Sequence, residues 1–377
     1  MRLLQMRPEK YVSRREFLKV AGIATTACVV CPHLEATEPS NELHEASFYD
    51  KLESDSVRCQ LCPWQCVVPD GQRGRCRVRE NRGGKYYSLV YGRPCVTNND
   101  PIEKKPFFHV YPGSRAFSIA TVGCNIECKF CQNWDISQAK PEDVSIPFMS
   151  PKEIAQEAAR QKCKTIAYTY SEPVVFTEYI LDCAKAAKAA GLGNVIVSNG
   201  FLNEKPLKEW CSVATAIKID FKAFSQKFYE ETCSGQLQPV LDSLKRLAGS
   251  GVWFEIVVLV IPTLNDDSDE IKRMSAWIVK NLGANVPIHF TRYHPAYKIK
   301  NIPPTPAQTL ARVREAAMAE GCHYVYAGNV PGHEGEDTYC HSCKALLIDR
   351  YGLGILKNNI VNGKCHKCGA VIPGVWA

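Results

Sequence analysis

The run Thr121-Val-Gly-Cys-Asn-Ile-Glu-Cys-Lys-Phe-Cys-Gln-Asn-Trp134 carries Cys124, Cys128 and Cys131 at the spacing Cys-x3-Cys-x2-Cys. Three thiolates this close together can hold three corners of a cubane iron–sulfur cluster. Ordinary ferredoxin clusters are held by four cysteines, and no fourth follows nearby. A cubane on three ligands leaves one iron with an open position, as catalytic metal sites generally do. An open iron on a reducing cluster can bind a substrate or cofactor directly. The spacing points to chemistry rather than electron storage.

Two further sets flank the triad. Cys340-x2-Cys343 and Cys365-x2-Cys368 are paired knuckles, the pattern of a zinc ribbon or rubredoxin-like module in which four thiolates close a tetrahedral site. Zinc is the expected metal and iron the second, in a structural or partner-docking role. Cys59-x2-Cys62-x3-Cys66-x9-Cys76 is irregular and fits a structural zinc or an auxiliary [4Fe–4S] cluster equally. Disulfides are a third option in an exported protein. The rest of the nineteen cysteines (Cys28, Cys31, Cys95, Cys163, Cys183, Cys211, Cys233, Cys322) are scattered, and buried small hydrophobes are their expected role.

The elements that must position the triad are legible around it. An apolar strand at 117–122 runs straight into Cys124. Ser150-Pro-Lys-Glu153 is a capping box with proline at the first helical position, opening a helix to about Gln161. Strands follow at 165–170, 194–198, 216–221, 252–261, 287–291 and 324–326, with helices at 174–190, 204–212, 239–248 and 269–281. Thr305-Pro-Ala-Gln308 reads as a second capping box, starting a helix to about Glu320. Near-continuous apolar strands alternating with helices predict an α/β fold with a parallel sheet. About six βα units connected right-handedly form a partial (β/α)6 barrel, with a doubly wound sheet as the alternative. Both put the active site at the C-terminal strand ends, where the triad falls.

At 377 residues the chain has room for one large domain and smaller modules. We expect a signal-like segment and linker at 1–45, a cysteine-rich segment at 46–109, the core at 110–330 and the four-cysteine module at 331–377. The net charge of +7 is spread over many segments, whereas nucleic-acid binding needs a clustered basic face; no nucleic acid is expected. Ser13-Arg-Arg-Glu-Phe-Leu-Lys19 and the apolar stretch at 20–30 resemble a twin-arginine (Tat) export signal, although Leu34-Glu-Ala36 is a poor cleavage site. That segment implies export or membrane tethering of a folded protein. No other stretch reaches the ~18–20 apolar residues of a membrane span.

Cys-x3-Cys-x-Phe-Cys after the first strand of a βα repeat, with Phe130 as its aromatic, resembles the signature of radical S-adenosylmethionine (radical SAM) enzymes. The resemblance covers roughly residues 110–330 and is nearest to the pyruvate formate-lyase activating enzymes. More narrowly, the chain is similar to the radical enzyme of the AmmeMemoRadiSam system. The motifs are Cys-x-Leu-Cys-Pro-x-x-Cys at 59–66, Gly-x-Cys-x-Val-Arg-Glu-Asn at 74–81, Asp-Pro-Ile-Glu-Lys-Lys-Pro at 100–106 and His-Phe-Thr-Arg-Tyr-His-Pro at 289–295.

The resemblance implies that Cys124, Cys128 and Cys131 ligate a [4Fe–4S] cluster whose open iron is chelated by S-adenosylmethionine. An electron from a reductant such as flavodoxin or ferredoxin would cleave the sulfonium, giving methionine and a 5′-deoxyadenosyl radical that abstracts hydrogen. Glu172, in Tyr-Ser-Glu-Pro, stands where the family has Gly-Gly-Glu and would meet the methionine ammonium. Tyr170 and Ser171 replace the glycines. Ser198-Asn199-Gly200 suits ribose contacts, and Asp220-Phe-Lys222 matches the Asp-x-Lys of the activating enzymes. Loop polar groups and helix caps use the same residue types. His289, Arg292 and His294 are candidates for a substrate mouth or for hydrogen-bonded structural residues at a strand end. No catalytic acid or base is assigned, and the substrate is a protein glycyl residue or a small molecule. S-adenosylmethionine is a cytoplasmic metabolite, which sets the chemistry against the export signal. The competing readings are an exported electron-transfer protein with a distant fourth ligand (Cys163, Cys95 or Cys233) and a zinc-ribbon binding protein with an inactive barrel. The intact triad argues against the second.

Overall fold

The computed structural model describes residues 43–377; the twin-arginine run and the apolar stretch after it lie outside the described residues. The strands that organise them are β1 (Val96–Pro101), β2 (Arg115–Ala120), β3 (Thr165–Tyr168), β4 (Gly193–Ser198), β5 (Ala216–Asp220), β6 (Trp253–Val260), β7 (Ile288–Arg292) and β8 (Val325–Gly328). They form one sheet in the order β8-β7-β6-β5-β4-β3-β2-β1. From β2 to β8 every neighbouring pair is parallel, and β1 lies antiparallel to β2 at the edge. Chain order and spatial order coincide, with no reversal point. A doubly wound sheet reverses at its switch point, so this is the partial barrel.

The crossovers are α1 (Pro151–Arg160), α2 (Thr177–Ala189), α3 (Glu204–Val213), α4 (Gln226–Cys233) with α5 (Leu237–Ala248), α6 (Ser268–Leu282) and α7 (Ala307–Ala319). Ser150 caps α1 as expected: its Oγ accepts from Glu153 N at 3.2 Å, and Glu153 Oε2 accepts from Ser150 N at 2.6 Å. Thr305 does not cap α7. That helix begins after Pro306, which is extended, and Thr305 Oγ1 instead donates to Val260 O at 2.5 Å and accepts from Tyr293 N at 3.0 Å. The threonine ties β6 to the segment after β7. Within the sheet and its crossovers, α4 and β1, with its polar Asn-Asn-Asp-Pro run, are not expected from the sequence. Among the described residues no helix is long and apolar enough to cross a membrane.

The cysteine-rich segment before β1 shares the main hydrophobic core through Val57, Val78 and Tyr86. A fully buried ion pair between Arg79 and Glu178 fastens it to α2. At the other end of the chain, strands Thr338–Tyr339, Leu346–Tyr351 and Gly354–Asn358 form an antiparallel sheet. It packs on Phe108, Tyr324 and Tyr326, and Arg350 Nη2 donates to Phe108 O at 2.9 Å.

Candidate active site

Strands β2 to β5 all deliver polar residues to one cavity of about 410 Å³ at their C-terminal ends, a size that suits a small-molecule ligand. Cys124, Cys128, Cys131, Glu172, Ser198, Asn199, Asp220 and Lys222 line it together. The cysteine loop is held against two neighbours. Glu127 N donates to Cys233 O and Lys129 N to Thr232 O, both at 2.9 Å, which anchors the loop on α4. On the other side Gly123 takes φ +101°, and a Cβ there would stand 2.6 Å from Val78 Cγ1. Only glycine allows that approach.

Among the described residues, three cysteines line the cavity. Cys233 is buried beside Cys128, and this contact is the largest cause that holds the Cys128 thiol below its ordinary pKa. Yet Cys233 is not on the cavity wall, and neither are Cys95 and Cys163. The donor set therefore fits a [4Fe–4S] cluster held at three corners, beside the open cavity that the thiols line.

Glu172 sits at the meeting point of three strand ends. Its Oε1 accepts from Ser198 Oγ at 2.6 Å and Val174 N at 3.1 Å, and its Oε2 accepts from Asn199 N at 2.9 Å. Burial pushes its carboxyl up, those three donors pull it down, and the balance lies at about 7. Of the two residues before it, one takes the left-handed backbone that favours glycine. Tyr170 itself takes the positive φ, +67°, at a strain of about 1–3 kcal/mol. The conformation is pinned by a hydrogen bond from its hydroxyl to Asp100 and one from Asn133 Nδ2 to its carbonyl at 2.9 Å.

Asp220 lies between Lys218 Nζ at 2.9 Å and Lys222 Nζ at 3.0 Å. Burial opposes its charge, but the two lysines outweigh burial and hold the carboxyl below the usual range. Lys218, Lys104 and Lys105 also reach this cavity, and none was singled out from sequence as a site residue. Lys105 Nζ pairs with Asp100 Oδ2 at 2.6 Å and lies 4.2 Å above the Tyr170 ring; burial lowers its pKa to about 8. The Asp-Pro-Ile-Glu-Lys-Lys-Pro motif was the available signal for it.

His289, Arg292 and His294 are not brought to the cavity; Thr291 is the β7 residue that lines it. His289 is fully buried, with Nε2 2.6 Å from Glu255 Oε2. It is the second residue of its strand, so it points into the barrel interior below the strand ends. His294 is exposed.

The C-terminal four cysteines meet as expected from their knuckles. Cys340 and Cys368 Sγ lie 3.7 Å apart, as do those of Cys343 and Cys365, and all four lie within 4.8 Å of one another. Lys344 at φ +59° and Gly369 at φ +74° turn the chain back after each knuckle. Cys59, Cys62, Cys66 and Cys76 line a second, smaller cavity, as unpaired thiols rather than disulfides.

The radical SAM superfamily model matches residues 118–274, which include every residue placed on the main cavity's cysteine, Glu172 and Asp220 walls. The uncharacterised protein MJ0808 of Methanocaldococcus jannaschii is 42% identical over 332 residues, 88% of this chain and 99% of that protein. The pyruvate formate-lyase-activating enzyme of Clostridium pasteurianum is 22% identical over 181 residues, 46% of this chain and 72% of that enzyme. Among solved structures, Streptococcus suis SuiB bound to S-adenosylmethionine aligns with a TM-score of 0.46 at 11% identity, over 64% of this chain and 56% of that one. The chain is an enzyme that belongs to the radical SAM superfamily, and it is similar to a pyruvate formate-lyase-activating enzyme.

Proposed function

We propose that this enzyme cleaves S-adenosylmethionine reductively and uses the resulting radical to abstract hydrogen from a glycyl residue of a protein. The observation that carries the cleavage reading is the single cavity wall on which three thiols, and no fourth among the described residues, face Glu172, Ser198, Asn199 and Asp220. A [4Fe–4S] cluster bound there would supply the one-electron reduction that splits the sulfonium of S-adenosylmethionine.

The chain's own residues bind and orient. Cys124, Cys128 and Cys131 would hold the cluster. Glu172, fixed by its three donors, keeps free lone pairs for the methionine amino group, a charge-assisted contact. Ser198 and Asn199 pin that carboxylate and bound the space for the ribose. Asp220, held ionised by Lys218 and Lys222, offers an acceptor on the next strand end. The protein substrate is supported by the activating-enzyme relative, whose named target is itself an enzyme. We also propose zinc for the C-terminal quartet, because a 2.3 Å metal–sulfur bond places tetrahedral thiolates about 3.8 Å apart, close to the 3.7 Å found.

The test is electron paramagnetic resonance of the anaerobically reduced enzyme. S-adenosylmethionine should change the spectrum of the triad's cluster, and Cys128→Ala should abolish that change. A spectrum indifferent to S-adenosylmethionine in the intact enzyme contradicts the assignment.

A further inference from the structure

We infer that Cys59, Cys62, Cys66 and Cys76 hold a second, fully ligated [4Fe–4S] cluster that relays electrons to the cluster on the triad. The four thiols converge on one cavity although they come from separate turns. Cys59 N donates to Cys66 O at 3.0 Å, which brings the first three together, and the turn closed by Arg77 N on Gly74 O at 2.8 Å swings Cys76 in.

The same cavity is lined by Arg79 and Tyr86, both fully buried. Arg79 uses Nη2 on Glu178 and Nε on Val175 O. Among the described residues, its Nη1 and the Tyr86 hydroxyl have no hydrogen-bond partner. A buried donor left unpaired is destabilising, and more so when it is charged. Two such donors beside four thiols call for an anionic occupant with acceptors of its own, as the sulfides of a thiolate-bound cluster are.

A single zinc ion fits this cavity less well. The C-terminal sulfurs all lie within 4.8 Å of one another, as a mononuclear tetrahedral site requires; among the described residues they are the group that does so. The N-terminal thiols do not meet that limit and instead line one shared cavity. Four ligands leave no iron open, so this cluster transfers electrons and does not bind substrate.

Its neighbour is the triad loop. Asn125 lines the N-terminal cavity while the adjacent Cys124 lines the active one. Trp64 Nε1 donates to Asn125 O at 2.8 Å, and Asn199 Nδ2 bridges Asn125 Oδ1 at 2.9 Å and Cys124 Sγ at 3.9 Å. One electron from a soluble one-electron donor of the flavodoxin class reduces the N-terminal cluster, then passes to the triad's cluster, which regains its oxidised state when the sulfonium takes that electron. The metal assignment is independent of the proposed reaction, and only the relay rests on it.

The test uses the full chain with Cys124, Cys128 and Cys131 all changed to Ala, reconstituted anaerobically. About four irons and four sulfides should remain per chain, and dithionite should give a [4Fe–4S]1+ signal that S-adenosylmethionine does not alter. Zinc in place of that iron, or four free thiols, overturns the assignment. Should the triple variant misfold, the intact enzyme decides: about eight irons per chain support the second cluster and about four contradict it. Tyr86→Phe should lower the midpoint potential of the N-terminal cluster, as loss of a hydrogen bond to its sulfur does; an unchanged potential removes that donor from the account. Cys62→Ser should lose most of the rate of 5′-deoxyadenosine formation with reduced flavodoxin, and an unimpaired rate overturns the relay. If the intact enzyme makes no 5′-deoxyadenosine the proposed reaction fails, while the iron count still decides this inference.

Discussion

At Glu172, burial and hydrogen bonding pull one carboxyl in opposite directions, and the resulting pKa of about 7 has a readable consequence. Above that pH the carboxylate is charged and accepts from the methionine amino group. Below it the group takes up a proton and the contact weakens, so S-adenosylmethionine affinity should fall as pH drops from about 8 to 6. Glu172→Gln should weaken binding about tenfold or more, the loss of a charge-assisted hydrogen bond of ~1.5–3 kcal/mol, and should flatten that pH dependence. Calorimetric titration across this range checks both. Glu172, Ser198, Asn199, Asp220 and Lys222 were readable because each follows or ends an apolar strand, where a parallel barrel collects its polar residues. Lys218 was not. It sits within β5 among apolar neighbours, and period-2 alternation alone does not say that a lysine points into the barrel to meet Asp220. His289 stands in a conspicuous motif, and of its two expected roles, substrate mouth or hydrogen-bonded structural residue, its strand position gives the second, against Glu255 below the cavity.

At the scale of elements, the βα alternation was legible because each strand is a nearly unbroken apolar run. β3, buried along its whole length, is the clearest. The Ser150 cap was legible for the same reason that it works, since both partners lie within one turn. Thr305 shows the limit: the same pattern is overridden once Pro306 is extended and the hydroxyl finds Val260 O. Strand β1 was illegible because it is polar and antiparallel, paired to β2 rather than to any pattern of its own. The contact between the N-terminal segment and the barrel was also invisible, because it depends on tertiary pairing. Breaking it by Glu178→Gln leaves Arg79 charged and buried, and should cost ~3–5 kcal/mol, measured by denaturant unfolding. Gly123→Ala forces a side chain into Val78 at positive φ and should lower both stability, by more than ~1 kcal/mol, and iron content. Iron content equal to that of the unmodified enzyme would show that the loop does not depend on this approach.

For the whole molecule, three cysteine sets mark three parts of one chain, and each should respond separately to its own lesion. Cys343→Ser should release the C-terminal metal and lower the melting temperature while leaving the triad's cluster spectrum intact, measured by metal analysis and electron paramagnetic resonance on the same sample. Loss of the cluster signal in that variant would tie the module to the active site, through the packing of Phe108 and Tyr326 on the barrel. The central claim concerns the barrel mouth, and one assay reaches it most directly. The anaerobically reconstituted enzyme, reduced with dithionite and given S-adenosylmethionine, should form 5′-deoxyadenosine and methionine in equal amounts, and Cys128→Ala should form neither. Absence of 5′-deoxyadenosine from an enzyme with a full, reducible cluster, or equal formation by Cys128→Ala, would contradict the account.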